Sequence, residues 1–145
     1  MATAMRSMQV KATAEEVWDY LQTPGNIVEW WPNCEEIEDV RPLSEGRLAF
    51  KWTEKPAGVT CRGEIEAVVR TPGEGLSLHV AGDIYGDMSW RVERTNGSTR
   101  VDFASDYDLP IRALIPYLSP VRLLRFQQDE ADAIVAQVRK RFNGG

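Results

Sequence analysis

Histidine is almost missing from this chain: His79 is the only one in 145 residues. There are two cysteines, Cys34 and Cys61, without a CxxC spacing. So few soft ligands and no paired thiols point away from a zinc site and from a disulfide framework. No Walker loop, GxGxxG or GxSxG occurs, so neither a metal nor a cofactor is implied. A basic excess is also missing, with 17 Lys and Arg against 22 Asp and Glu and a net charge of -5. That argues against a broad nucleic-acid footprint. No stretch approaches the ~18 apolar residues of a membrane span. The first ten residues, MATAMRSMQV, carry no apolar core of a secretion signal, so a cytoplasmic protein is expected. Nothing reads as a linker or an internal repeat. A single domain over residues 1–145 is the simplest expectation, able to bury roughly 70% of its unfolded surface.

What the chain has instead is aromatic surface near its start. Thr13 to Pro32 reads TAEEVWDYLQTPGNIVEWWP and holds three tryptophans and a tyrosine. Thr13 with Glu16 is a capping box that opens a helix. Val17, Trp18 and Leu21 fall on one side of it, and Thr23-Pro24-Gly25 stops it. Asn26 with Glu29 repeats the start signal for a shorter helix, which Pro32 ends. Two short helices cannot stand alone, so their aromatic side must lie on something.

Period-two alternation supplies a sheet. Met8–Val10, Cys34–Val40, Leu48–Trp52, Val59–Ile65, Leu76–Val80, Met88–Val92 and Val101–Tyr107 read as seven strands. Ser44-Glu45-Gly46, Thr71-Pro72-Gly73 and Asn96-Gly97 mark turns. One face wet and one buried predicts an antiparallel sheet. The chain closes with a long helix: Ser119 caps it, Pro120 opens it, and it runs to about Phe142 before Asn143-Gly144, roughly 34 Å. Val121, Leu124, Gln128, Ala131, Val135, Val138 and Phe142 form one stripe along it. The middle of that stripe carries an amide and a small side chain where a closed core would carry Leu or Ile.

This order of elements, with VKATAEEVWDYLQTPGNIVEWWP, GEIEAVVRTPGEGLSLHV and MSWRVERTNGSTRVDFASDYDLP, resembles the START/Bet v 1-like superfamily over about the whole chain. That superfamily includes polyketide cyclase/dehydrase and lipid-transport proteins. The resemblance implies an α+β helix-grip fold: a seven-stranded curved antiparallel sheet wraps a long C-terminal helix, and two short helices follow the first strand. It also implies an internal apolar chamber, one end of which Trp18, Trp30 and Trp31 would seal. Fold does not license a reaction.

Strand parity selects the side chains that would face such a chamber: Leu48, Phe50, Trp52; Val59, Cys61, Ile65; Leu76, Leu78, Val80; Met88, Trp90, Val92; Val101, Phe103, Ser105, Tyr107. Ser105 and Tyr107 are polar groups in an apolar shell, to be satisfied by Gln128, backbone, water or ligand. The candidate ligand-binding residues are Trp30, Phe50, Trp52, Cys61, Leu78, Met88, Trp90, Phe103, Ser105, Tyr107, Leu124, Gln128 and Ala131, a mostly apolar set with a few directed polar groups. The catalytic inventory is thin, and no catalytic residue is assigned. His79 shares parity with Ser77 and faces solvent, Asp102, Asp106 and Asp108 read as a solvated acidic face, and Arg62, Glu64 and Glu66 as outward cross-strand pairs. Residues 110–120, PIRALIPYLSP, are apolar and proline-rich. With Leu123 and Phe126 they read as packing over the helix flank, a lid, or a surface for transient membrane or partner contact. Three readings of function follow: binding or transport of a hydrophobic small molecule (lipid, polyketide or isoprenoid-like), a polyketide aromatase/cyclase-like enzyme, and a protein-interaction module of the co-chaperone activator type.

Overall fold

The computed structural model of the chain describes residues 2–55, 58–71, 75–108 and 119–143, with the side chains of Ala2, Thr3, Tyr107, Asp108, Pro120 and Leu123 outside that description. Its elements are β1 (Ala2–Val10), α1 (Ala14–Gln22), a 3-10 turn (Pro24–Asn26), α2 (Ile27–Trp30), β2 (Cys34–Ser44), β3 (Arg47–Glu54), β4 (Cys61–Val69), β5 (Leu76–Gly82), β6 (Tyr85–Thr95), β7 (Ser98–Asp108) and α3 (Pro120–Asn143). The seven strands form one antiparallel sheet in the order β1-β7-β6-β5-β4-β3-β2. This is the helix-grip arrangement.

Local chemistry accounts for most boundaries. Thr13 Oγ1 accepts from the Glu16 amide at 3.1 Å, which is the N-cap half of the expected capping box. Two expectations at this end are corrected. Pro24 does not only stop α1; it begins the 3-10 turn that leads into α2. Asn26 does not cap α2: its side-chain amide donates to the Tyr20 carbonyl at 3.0 Å, tying the turn back to α1. β1 is nine residues long rather than three. Its inward positions include Ala4 and Arg6 beside Met8 and Val10, so the alternation is too weak to read. Pairing with β7 along the whole length is what holds it extended.

β2 and β1 are the sheet edges. β2 carries Glu35, Glu36, Glu38, Asp39 and Pro42, and its pairing with β3 shifts register three times, with Asp39 at φ 54°. Charge, proline and irregularity are how an edge avoids recruiting another strand. β4 and β5 come unusually close where Gly63 pairs with Gly82. A Cβ on Gly63 would lie 1.9 Å from the Ala81 carbonyl oxygen, and one on Gly82 (φ 126°) would lie 2.6 Å from that of Arg62. Only glycine lets the backbones approach this closely.

α3, about 36 Å long by its rise per residue, spans the opening between the two edges. It packs chiefly on β1, with further contacts to β7 and α2. On one flank Arg6 of β1 donates to Asp132 Oδ1 at 2.6 Å and to Gln128 Oε1 at 2.7 Å. On the other flank Asn33, just before β2, donates to Glu130 Oε2 at 2.9 Å. The buried stripe differs from the expected one. Gln127, Glu130, Ala131, Ile134, Val135 and Val138 are buried, whereas Val121 and Leu124 are 72% and 47% exposed. A narrow stripe was expected from one contact face. The helix is instead gripped from two sides, which broadens and rotates the covered surface.

Replacing Gly63 by Ala should destabilise the fold by about 2 kcal/mol or more, because backbone must move to admit the methyl. Gly25→Ala, with nothing within 4 Å of its Cβ, should stay within about 0.5 kcal/mol. Urea unfolding of both variants checks this; equal effects would refute the close-approach argument.

Candidate functional site

Buried polar groups are few, and two of them meet. At the far end of β3 the register places Cys34, Glu54 and Cys61 side by side on β2, β3 and β4. All three are buried, Glu54 at 1% exposure. The loop after α2 closes over this row: the Cys34 amide donates to the Trp31 carbonyl at 2.9 Å, and the Lys55 amide to the Asn33 carbonyl at 2.8 Å. From α3 comes Glu130, also buried and held by Asn33. The site is thus built by three strands, one loop and one helix.

Burial is the main reason that the Glu54 carboxyl is pushed far above the usual carboxylate range. The neighbouring charge of Glu130 and a proton shared toward it act in the same direction, while the Trp31 indole opposes them weakly. Glu54 therefore keeps its proton at neutral pH. Its Oε2 has no hydrogen-bond partner among the described residues. Burial likewise pushes the Cys34 thiol up to about 12, and raises that of Cys61. Both stay as thiols, which makes them packing groups rather than nucleophiles.

Around this pair lie the aromatic residues. Trp31 and Trp52 meet with ring centroids 6.1 Å apart and planes at 43°. Trp30 meets Trp90 edge-on at 5.4 Å, and Trp90 meets Phe103 at 4.6 Å. The Nε1 atoms of Trp30, Trp52 and Trp90 are buried and have no partner among the described residues, while the buried indole of Trp31 is directed to Glu54. A lost hydrogen bond at a buried donor costs about 1–3 kcal/mol. At the opposite rim, a cleft of about 520 Å³ lies between the end of α1 and the β2–β3 hairpin. Leu48 and Val69, from the inward-facing rows, line it and are only half-buried.

Of the residues singled out from sequence, Trp30, Phe50, Trp52, Cys61, Leu78, Met88, Trp90, Phe103, Ser105 and Ala131 are buried on the inner side. Gln128 is half-buried and turned to Arg6 at the β1 edge. Leu124 is exposed, at the start of α3 before the helix enters the grip. The Tyr107 side chain and residues 109–118 lie outside the described residues, and with them the Tyr107–Gln128 pairing and most of the 110–120 surface. His79 faces solvent and pairs with Asp87 at 2.9 Å. Glu64 and Glu66 form outward ion pairs with Arg41 and Arg47. Among the described residues no helix is long and apolar enough to cross a membrane. Also among them, no group of three or more His, Cys, Asp and Glu is arranged to hold a metal ion.

Sequence reasoning passed over Glu54 and Glu130. The signal for Glu54 was present, since 48, 50, 52 and 54 share one parity and the run was ended at its last apolar member. Glu130 sits beside Ala131, so a stripe shifted by one position would have included it.

The Glu54 proton has a thermodynamic signature. The unfolded chain releases it near 4.5 and the folded chain only at much higher pH. Between those points the unfolded state binds fewer protons, so stability falls as pH rises, by up to about 1.4 kcal/mol per pH unit for one proton. Glu54→Gln should flatten the stability profile between pH 5 and 9, its advantage over the parent growing toward high pH. Urea midpoints across that range test this; parallel profiles would mean that Glu54 ionises normally.

No curated protein matches the chain. Solved structures share its fold at low identity. A START superfamily protein from Mycobacterium smegmatis aligns with a TM-score of 0.78 and 11% identity, covering 98% of this chain and 97% of that one. The Zhui aromatase/cyclase from Streptomyces sp. R1128 aligns at 0.72 and 12%, covering 96% and 94%. The Aha1 dimer from Colwellia psychrerythraea aligns at 0.65 and 13%, covering 99% and 97%. Residues 1–142 match the family described as polyketide cyclase / dehydrase and lipid transport, and the chain belongs to that family.

Proposed function

We propose that this protein binds a hydrophobic small molecule, of lipid, polyketide or isoprenoid-like kind, between the inner face of the sheet and α3. One observation carries the reading. Three indole N–H groups, of Trp30, Trp52 and Trp90, are buried without partners among the described residues, inside a mostly apolar shell. Folded proteins rarely leave buried donors unmet. A bound molecule with acceptor oxygens would satisfy them while its body is covered by Phe50, Leu78, Met88 and Phe103. The family description, which joins cyclisation, dehydration and lipid transport, supports the same class of ligand. The protein works in the cytoplasm and has no nucleic-acid partner on this reading, in keeping with its acidic balance.

A second reading rests on Glu54. A carboxylic acid that stays protonated in an apolar site can serve as a general acid, as a cyclase or dehydratase requires. The aromatase/cyclase among the structural neighbours is in line with this.

Native mass spectrometry of the purified protein should reveal a co-purifying apolar molecule. After delipidation, titration with a fluorescent apolar probe should alter the emission of the buried tryptophans. Ala131→Leu, which adds three carbons on the helix face toward the interior, should weaken probe binding at least tenfold while lowering stability by no more than about 1–3 kcal/mol. An unliganded protein that binds no probe, with Ala131→Leu severely destabilised, would mean a filled core and no ligand.

A further inference from the structure

The carboxyl pair at the end of β3 is a place in the core where acid has no base. Glu54 and Glu130 are 1% and 6% exposed, and no Lys, Arg or His is buried among the described residues. Asn33 serves one oxygen of Glu130. The Trp31 indole is directed to the Glu54 carboxyl and favours its charged form, while Oε2 has no partner of its own among the described residues. The Glu54 and Glu130 carboxyls share a hydrogen bond, and Oε2 of Glu54 is left out of it. A buried acceptor of this kind requires an N–H or O–H donor.

The surroundings select among donors. Trp52 lies two residues before Glu54 on the same face of β3, and Trp31 lies against Trp52. Indole faces attract cations, most strongly where water is excluded. Two carboxyls able to share one proton can also ionise together around a positive charge, which a neutral donor does not promote. The titratable groups nearest the pair are the thiols of Cys34 from β2 and Cys61 from β4, and Asp83 and Glu35 act on those thiols from further out. None of these supplies a cation.

We propose that Glu54 and Glu130 together bind the protonated amine of an apolar ligand, with Trp31 and Trp52 packed against the carbons next to the ammonium. This rests on the reading that the interior binds a hydrophobic small molecule, and it specifies that molecule's polar end. The charges balance. The free site holds one proton between two carboxyls. When the ammonium enters, Glu54 releases that proton to solvent, and two carboxylates surround one cation.

Calorimetric titration of the full chain at pH 7 with decylamine, decanol and decanoate, in two buffers of different ionisation enthalpy, tests it. Decylamine should bind at least tenfold more tightly than decanol, and decanoate most weakly. About one proton should be released per amine bound, and none per decanol. Glu54→Gln and Glu130→Gln should each bring decylamine to within about threefold of decanol, in variants whose circular dichroism matches the parent. Decylamine binding no better than decanol, or releasing no proton in the parent chain, would overturn the inference and leave the hydrophobic-ligand reading intact. An amine preference that survives both substitutions would overturn it as well. Failure of all three probes to bind would remove both readings together.

Discussion

Closure of an open sheet by a single helix is the constraint on which the rest of this structure depends. A seven-stranded sheet with free edges has to curl or be covered. The Gly63–Gly82 pair lets neighbouring backbones approach closely, and α3 packs on β1 and is tied by Glu130 to Asn33 in the loop leading to β2. The contacts that fasten the helix are polar on both flanks: Arg6 with Gln128 and Asp132 on one side, Asn33 with Glu130 on the other. The Arg6–Asp132 pair is partly solvated and contributes little by itself. Its value is geometric, because hydrogen bonds on both flanks set the rotation of the helix about its own axis.

That rotation decides what the interior contains. With Gln128 and Asp132 turned toward β1, the opposite flank brings Gln127, Glu130 and Ile134 inward. Glu130 then meets Glu54, a side chain that strand parity had already directed into the core. Two carboxyls in a shared dry site cannot both be charged without a cation, so one keeps its proton. The altered carboxyl and the unpartnered indoles thus have a common origin in the closure of the sheet. They also lie where bulk water does not compensate for a missing hydrogen bond.

Glycine, charge and aromatic residues divide the work by location. Outward positions carry paired charges such as Arg41–Glu64 and Arg94–Glu15, whose contribution to stability is small. The inward rows hold the large side chains, with Trp30, Trp52 and Trp90 at or below 1% exposure. Each such ring removes on the order of 200 Å² from water. The hydrophobic term therefore comes from the layer that also forms the candidate site, and changes made there will affect binding and stability together.

Period-two alternation and turn residues made the sheet legible from sequence. Phe50 and Trp52, Leu76, Leu78 and Val80, and Val101 and Phe103 face inward as their parity requires, because side chains on a pleated strand alternate between its two faces. The capping box at Thr13 and the glycine at 97 were likewise readable, since each acts within a few residues. β1 was only partly legible, as its edge position tolerates Ala4 and Arg6 on the inner side. The helix was readable in extent but not in rotation: several stripes differing by one residue suit a 3.6-residue period, and only contact with β1 on one flank and the loop before β2 on the other selects among them. For the same reason the Glu54–Glu130 pair could not be derived from the chain alone. Parity directs Glu54 inward, yet its partner lies 76 positions away on another element, and the proton that Glu54 retains exists only because folding removes both groups from water. Local sequence determined the elements and the faces they bury; the tertiary structure decided which buried groups meet, because long-range proximity, unlike periodicity, is set only when the helix closes the sheet.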